Sequence, residues 1–198
     1  MSTHNHTVNP TPPSPGAVTA TAAVSRLRAR LRPWRRIVVA TVSSAGADAA
    51  FAFVVYVLVA RRYNFETLLQ YIASGLAGDA AFTSGWAGVG YAALGLGMHL
   101  ALAVGFVVAY AITIAPRVRT PAVAVTVGLV YGAGIWLFMN AVVLPLGRST
   151  HEQFLNGYYL AFLTDHAVLV GLPIALILLG ADATTRTPTG RGPSAATR

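Results

Sequence analysis

Four uninterrupted apolar stretches, Ile37 to Ala60, Trp86 to Ala115, Ala122 to Leu146 and Gly157 to Gly180, set the terms on which this chain can fold. At 1.5 Å of rise per residue, about 20 helical residues cross a hydrocarbon core of about 30 Å, so each stretch can span a bilayer. The second stretch is 30 residues long and must tilt or project beyond the core. Lipid offers no water to backbone N–H and C=O groups, which makes the helix the natural spanning form. Of 198 residues, 55% are hydrophobic and 10% charged, whereas soluble domains carry about 25% charge. The expected fold class is therefore all-α: an integral membrane four-helix bundle with a short interfacial helix and disordered tails. The first stretch does not read as a signal peptide, because its apolar run exceeds the roughly 7 to 15 residues of such peptides.

The flanks divide the chain further. Residues 1–24 are rich in Thr, Pro, Ser and Ala without apolar periodicity, which predicts a disordered tail. Residues 181–198 read the same way. His4 and His6 form an isolated HxH pair in the first tail, with no companion ligands in sequence. Between tail and first span, residues 25–36 form a basic juxtamembrane segment. All 14 basic residues are arginine, and net charge is +8. Arg26, Arg28, Arg30, Arg32, Arg35 and Arg36 sit directly before an apolar run, which predicts a bilayer surface of anionic headgroups as the partner and no nucleic acid. The lysine-free, Ala- and Arg-rich composition fits a GC-rich bacterial source, hence the bacterial inner (cytoplasmic) membrane. Zero cysteines remove disulfides, thiol catalysis and thiolate metal sites.

Between the first two stretches, Asn64 to Ala77 is too short to cross. Phe65, Leu68, Leu69, Ile72 and Leu76 recur at helical spacing, so the segment is expected to lie along the membrane surface, capped by Asn64, its apolar face against lipid or the bundle top. Within the spans, small residues recur on helix faces, notably Ser44, Ala45, Ala49 and Ala52, then Gly88, Ala92, Gly95 and Ala103, then Gly128 and Gly132. Lipid supplies no hydrophobic drive for helix association, so such faces mark close packing.

The informative residues are ionisable. A charge at mid-membrane costs at least about 2.5 kcal/mol, so ionisable residues in spans face the bundle interior and mark functional sites. Counted along straight helices, Asp48 lies about 18 Å, His99 about 25 Å before tilt correction, and His166 about 21 Å from the boundary on the side of the termini. Asp48, His99 and His166 are accordingly expected to share one intramembrane polar site, with Ser44 beside it and Asn140 either roofing it or bonding across the bundle. Asp165 is expected about 100° away from His166 and outside the centre. The bland alternative is a hydrogen-bonded knot that fixes helix register.

Several short motifs carry a resemblance: Leu69-Gln70-Tyr71-Ile72-Ala73-Ser74-Gly75, Leu137-Phe138-Met139-Asn140 with Pro145-Leu146, and His166 followed by Gly171-Leu172-Pro173-Ile174-Ala175. Over residues 36–180 the chain resembles small bacterial four-span inner-membrane proteins, similar in layout to YagU-like proteins. The resemblance implies a fold and no chemistry.

Three function classes follow. The first is a membrane protein whose buried Asp/His/His site takes a proton, metal ion or small solute, in transport or sensing; two histidines and a carboxylate suit a non-haem metal. The second is a structural or assembly protein whose surface helix and arginine cluster dock a membrane partner or a second copy as a homo-oligomer. The third is a bundle holding haem b between His99 and His166. No GxSxG, HExxH, Walker or dinucleotide-binding motif points to an enzyme.

Arginine placement sets topology. Eleven of the 14 arginines lie on the side of the termini, against Arg61, Arg62 and Arg148 opposite, so both termini are expected in the cytoplasm. Reporters fused at Arg198 and within the 147–156 loop should report opposite sides of the membrane. The same side for both would contradict four spans.

Overall fold

The computed structural model describes residues 15–148 and 157–179. The tail segments 1–14 and 180–198 and most of the 147–156 loop lie outside the described residues. Two compact units, 1–35 and 36–198, divide the chain. In the first, helix α1 (Pro15–Phe53) begins at Pro15, inside the segment whose composition suggests a tail. Proline is tolerated at a helix start because its missing N–H has no partner there.

The second unit is all helical among its described residues. It holds four helices long and apolar enough to cross a membrane: Trp34–Val59, Gly85–Arg117, Pro121–Leu146 and Tyr158–Leu178. Helix α1 runs into a π-helical segment, Val54–Val59. Helix α2 (Phe65–Ala77) and a 3₁₀ turn (Gly78–Ala81) lead to α3 (Gly85–Thr113). The third span joins α4 (Pro121–Phe138), a π segment (Met139–Val143) and α5 (Leu144–Leu146). The fourth joins α6 (Gly157–Asp165), a π segment (His166–Gly171) and α7 (Leu172–Leu178).

The last two π segments each end two residues before a proline, Pro145 and Pro173. A proline inside a helix cannot donate to the carbonyl four residues back and its ring crowds that carbonyl. Widening the preceding turn to i→i+5 bonding relieves the conflict, one of the local adjustments by which membrane helices keep backbone groups satisfied.

Close packing is made by glycine. A Cβ on Gly132 would fall on the His166 carbonyl, one on Gly128 would meet Ala175 and the Gly171 carbonyl, and one on Gly171 would strike the Gly128 carbonyl. Spans three and four thus touch backbone to backbone. Towards the end of the bundle that carries Arg36 and Leu179, the core is Val107, Tyr110, Ala124, Ile174 and Leu178. There the Arg36 guanidinium donates to the Leu179 carbonyl at 3.3 Å, so the start of the first span and the end of the fourth share a side.

Helix α2 packs on α3 at the opposite end. Asn64 Oδ1 accepts from Thr67 N–H at 2.8 Å, the N-cap that the sequence suggests. The packed face is different from the apolar one: Gln70, Ala73 and Ser74 are buried together with Leu68, while Phe65 and Leu76 are more than half exposed. Gly95 meets the backbone at Leu69 and Ala73. In lipid, large apolar side chains need no burial in protein, and small residues permit backbone contact. About 20 residues counted back from Thr113 reach the neighbourhood of Gly95, so α2 crosses α3 near a core boundary.

Gly132→Ala is expected to lower stability in detergent by at least about 1–3 kcal/mol, because backbone must move to admit the methyl. Gly90, which has open space around its Cβ position, should tolerate alanine within about 0.5 kcal/mol. Equal effects in denaturation experiments would contradict the glycine contact.

Candidate functional site

Asp48 on the first span, His99 on the second, and Asp165 and His166 on the fourth come together inside the bundle. His99 Nδ1 lies 3.6 Å from Asp48 Oδ2. Asp48, Asp165 and His166 each offer one ligand atom, all within 4.8 Å of one another. The Asp165 side chain is fully buried, and His166 and His99 retain about 15% exposure. The structure therefore places Asp48, His99 and His166 in one neighbourhood, and adds Asp165.

Asp165 corrects the expectation that it points elsewhere. An angular step of 100° per residue holds for an α-helix, but Asp165 and His166 straddle the change from α6 to the π segment. More residues per turn means a somewhat smaller step, and the side chains close the rest, bringing Asp165 Oδ2 to 3.2 Å from His166 Nδ1. Pro173 was the sequence signal that this helix departs from α geometry.

Asn140 is not part of the centre. Its Nδ2 donates at 2.8 Å to the Trp136 carbonyl one turn back on its own helix, and among the described residues it does not line the cavity that Asp48, His99 and His166 border. Ser44 is buried and lines the same cavity as Asp48, His99 and His166. Its hydroxyl donates to the Ala40 carbonyl at 2.8 Å, which leaves only its lone pairs for a neighbour.

Hydrogen placement in the two histidines follows from their partners. A carbonyl can only accept, so His99 Nε2, 3.1 Å from the Ala45 carbonyl, carries a hydrogen. His166 Nδ1 carries one for the same reason, 3.0 Å from the Phe162 carbonyl. In the neutral imidazoles, His99 Nδ1 and His166 Nε2 are then bare. Asp165 Oδ2 is also 3.2 Å from His166 Nδ1, but that nitrogen's hydrogen goes to the carbonyl, and neither Asp165 oxygen has a hydrogen-bond partner. The other buried polar atoms without partners among the described residues are the neutral hydroxyls of Thr41 and Tyr110.

A bare His99 Nδ1 thus faces Asp48 Oδ2, whereas the His166 nitrogen nearest Asp165 is Nδ1, with its hydrogen on the Phe162 carbonyl. No lysine occurs in the chain and no arginine lies within the apolar stretches to offset the two carboxylates. A cavity of about 60 Å³ borders Asp48, His99 and His166, room for one or two waters. It cannot admit a porphyrin, and His99 has one nitrogen on a carbonyl and the other facing a carboxylate, so the residues present do not fit haem.

Aromatic rings cover the centre on the α2 side. Phe162, one turn before His166, stacks on Tyr56 at 5.3 Å and meets Phe51 edge-on at 5.2 Å. Tyr63 links Tyr56 to Tyr71 on α2. These contacts join the first and fourth spans and hold the segment whose carbonyl orients His166. Spacing alone did not reveal the cluster, since its members come from the first span, the loop after it, α2 and the fourth span.

No family model, curated protein or solved structure matches this chain.

Asn140→Ala is expected to change stability by no more than about 0.5 kcal/mol, since it removes a partly exposed bond within one helix. A loss of several kcal/mol on denaturation in detergent would return Asn140 to the bundle's polar network.

Proposed function

We propose that this multi-pass membrane protein binds a small cation, a proton or a metal ion, at the buried Asp48, His99, Asp165 and His166 centre. One observation carries the reading: Asp165 is fully buried beside a second carboxylate, and its oxygens have no well-formed hydrogen bond, only the edge of His166 with Nδ1 3.2 Å away. A knot that served only to fix helix register would satisfy its members, because an unsatisfied buried polar group costs about 1–3 kcal/mol, and more if charged. A group kept unsatisfied beside a second carboxylate suits a cation that arrives from outside. The surroundings proposed for this activity are the bacterial cytoplasmic membrane, with both termini in the cytoplasm and residues 25–36 on anionic headgroups.

Thermal or chemical denaturation of Asp165→Asn in detergent, with chelator present, separates the alternatives. A cation site predicts a variant that inserts normally and is more stable than the parent by about 1–3 kcal/mol, since the unpaired buried carboxylate is gone. A structural ion pair predicts a loss of about 3–5 kcal/mol, the cost of removing one partner of a buried pair. The second result would overturn the proposal.

A further inference from the structure

We propose that Asp48, Asp165 and His166 form a site for one first-row divalent metal ion, with His99 as a positioning residue on Asp48. The inference rests on the cation reading above and names the cation. Two ligand atoms each about 2.1 Å from one ion are at most about 4.2 Å apart. Three such atoms on one ion lie about 3.4–3.6 Å apart, and those of Asp48, Asp165 and His166 lie within 4.8 Å, so closure around an ion needs adjustments of up to about 1 Å.

His166 has the arrangement of a metal-binding imidazole. Metal-ligating histidines donate their second ring nitrogen to a carbonyl or carboxylate, which fixes the ring and leaves the other nitrogen bare. The Phe162 carbonyl holds Nδ1 in that way at 3.0 Å, so ligation through Nε2 requires the ring to turn that nitrogen to the ion, since it is Nδ1 that lies 3.2 Å from Asp165 Oδ2. Asp165 brings oxygens that no donor in the protein occupies. Asp48 brings the second carboxylate, with His99 Nδ1 3.6 Å away; with Nε2 already on the Ala45 carbonyl, His99 positions Asp48 by donating from Nδ1 in its imidazolium form.

Charge and ligand type narrow the ion. Two carboxylates are neutralised by one divalent cation, which removes the cost of net charge in a low-dielectric site. A nitrogen ligand beside two oxygens favours Zn²⁺, Fe²⁺ or Mn²⁺ over the all-oxygen preference of Mg²⁺ and Ca²⁺. The adjoining cavity of about 60 Å³ leaves space for water at an open coordination position.

The test uses full-length protein in detergent, stripped with chelator, in which His4, His6 and His151 are replaced by alanine so that tail and loop imidazoles cannot contribute. Calorimetric titration with Zn²⁺ should give one site per chain that equimolar Mg²⁺ does not fill. Asp165→Asn and His166→Gln should abolish binding, whereas His99→Gln should keep the stoichiometry and weaken affinity by about 10–100-fold. Visible absorption of the Co²⁺-loaded protein reports nitrogen and oxygen ligation without depending on any of these ligand variants. Absence of Zn²⁺ and Co²⁺ binding in the folded three-alanine background, or binding that Asp165→Asn leaves intact, would overturn the metal proposal. If Asp165→Asn nevertheless stabilises the chelated protein, only the metal fails and the proton takes its place; if it destabilises, the cation reading fails too.

Discussion

The backbone contact between the third and fourth spans is the constraint on which the rest of the structure depends. Lipid gives helices no hydrophobic reason to associate, so association comes from close van der Waals approach. Gly128, Gly132 and Gly171 permit that approach, and Gly132 faces the His166 carbonyl. Pro173 acts on the same stretch from within the chain, through the π segment His166–Gly171. Packing and backbone geometry therefore act together at the two residues, Asp165 and His166, that bring a carboxylate and an imidazole to one place.

The chemistry of the centre follows from the treatment of N–H groups. Each histidine donates to a main-chain carbonyl of a spanning helix, at Ala45 and at Phe162. The Asp165 oxygens are left without a well-formed hydrogen bond among the described residues. In water such an arrangement would be solvated at little cost, but within a bundle every unpartnered lone pair is expensive. Burial turns an ordinary collection of polar residues into a site with a stated need for positive charge.

Much of the architecture was legible in the sequence. Span boundaries differ from the apolar stretches by a few residues, because hydropathy and helix length report the same physical requirement. Asp48, His99 and His166 could be placed at similar depth by counting rise per residue. Two features were not legible by the same means. Asp165 was misplaced because a fixed 100° step assumes an α-helix, and the π segment before Pro173 breaks that assumption. The apolar stripe of α2 left lipid and the bundle top both open; Phe65 and Leu76 face outwards, and the residues that meet the protein, Leu68, Gln70, Ala73 and Ser74, were not legible because small and polar residues carry no hydrophobic signal. Asn140 sits at a suitable depth, but depth does not fix direction, and its own helix offered a nearer acceptor.

Main-chain carbonyls lock the two histidines into opposite tautomers, through Ala45 on His99 Nε2 and Phe162 on His166 Nδ1. Nitrogen-15 NMR of histidine-labelled protein above about pH 8, where unperturbed imidazoles are neutral, tests it directly. His166 should carry its hydrogen on Nδ1 and His99 on Nε2. Hydrogen on Nε2 of both rings, or on Nδ1 of both, would contradict it.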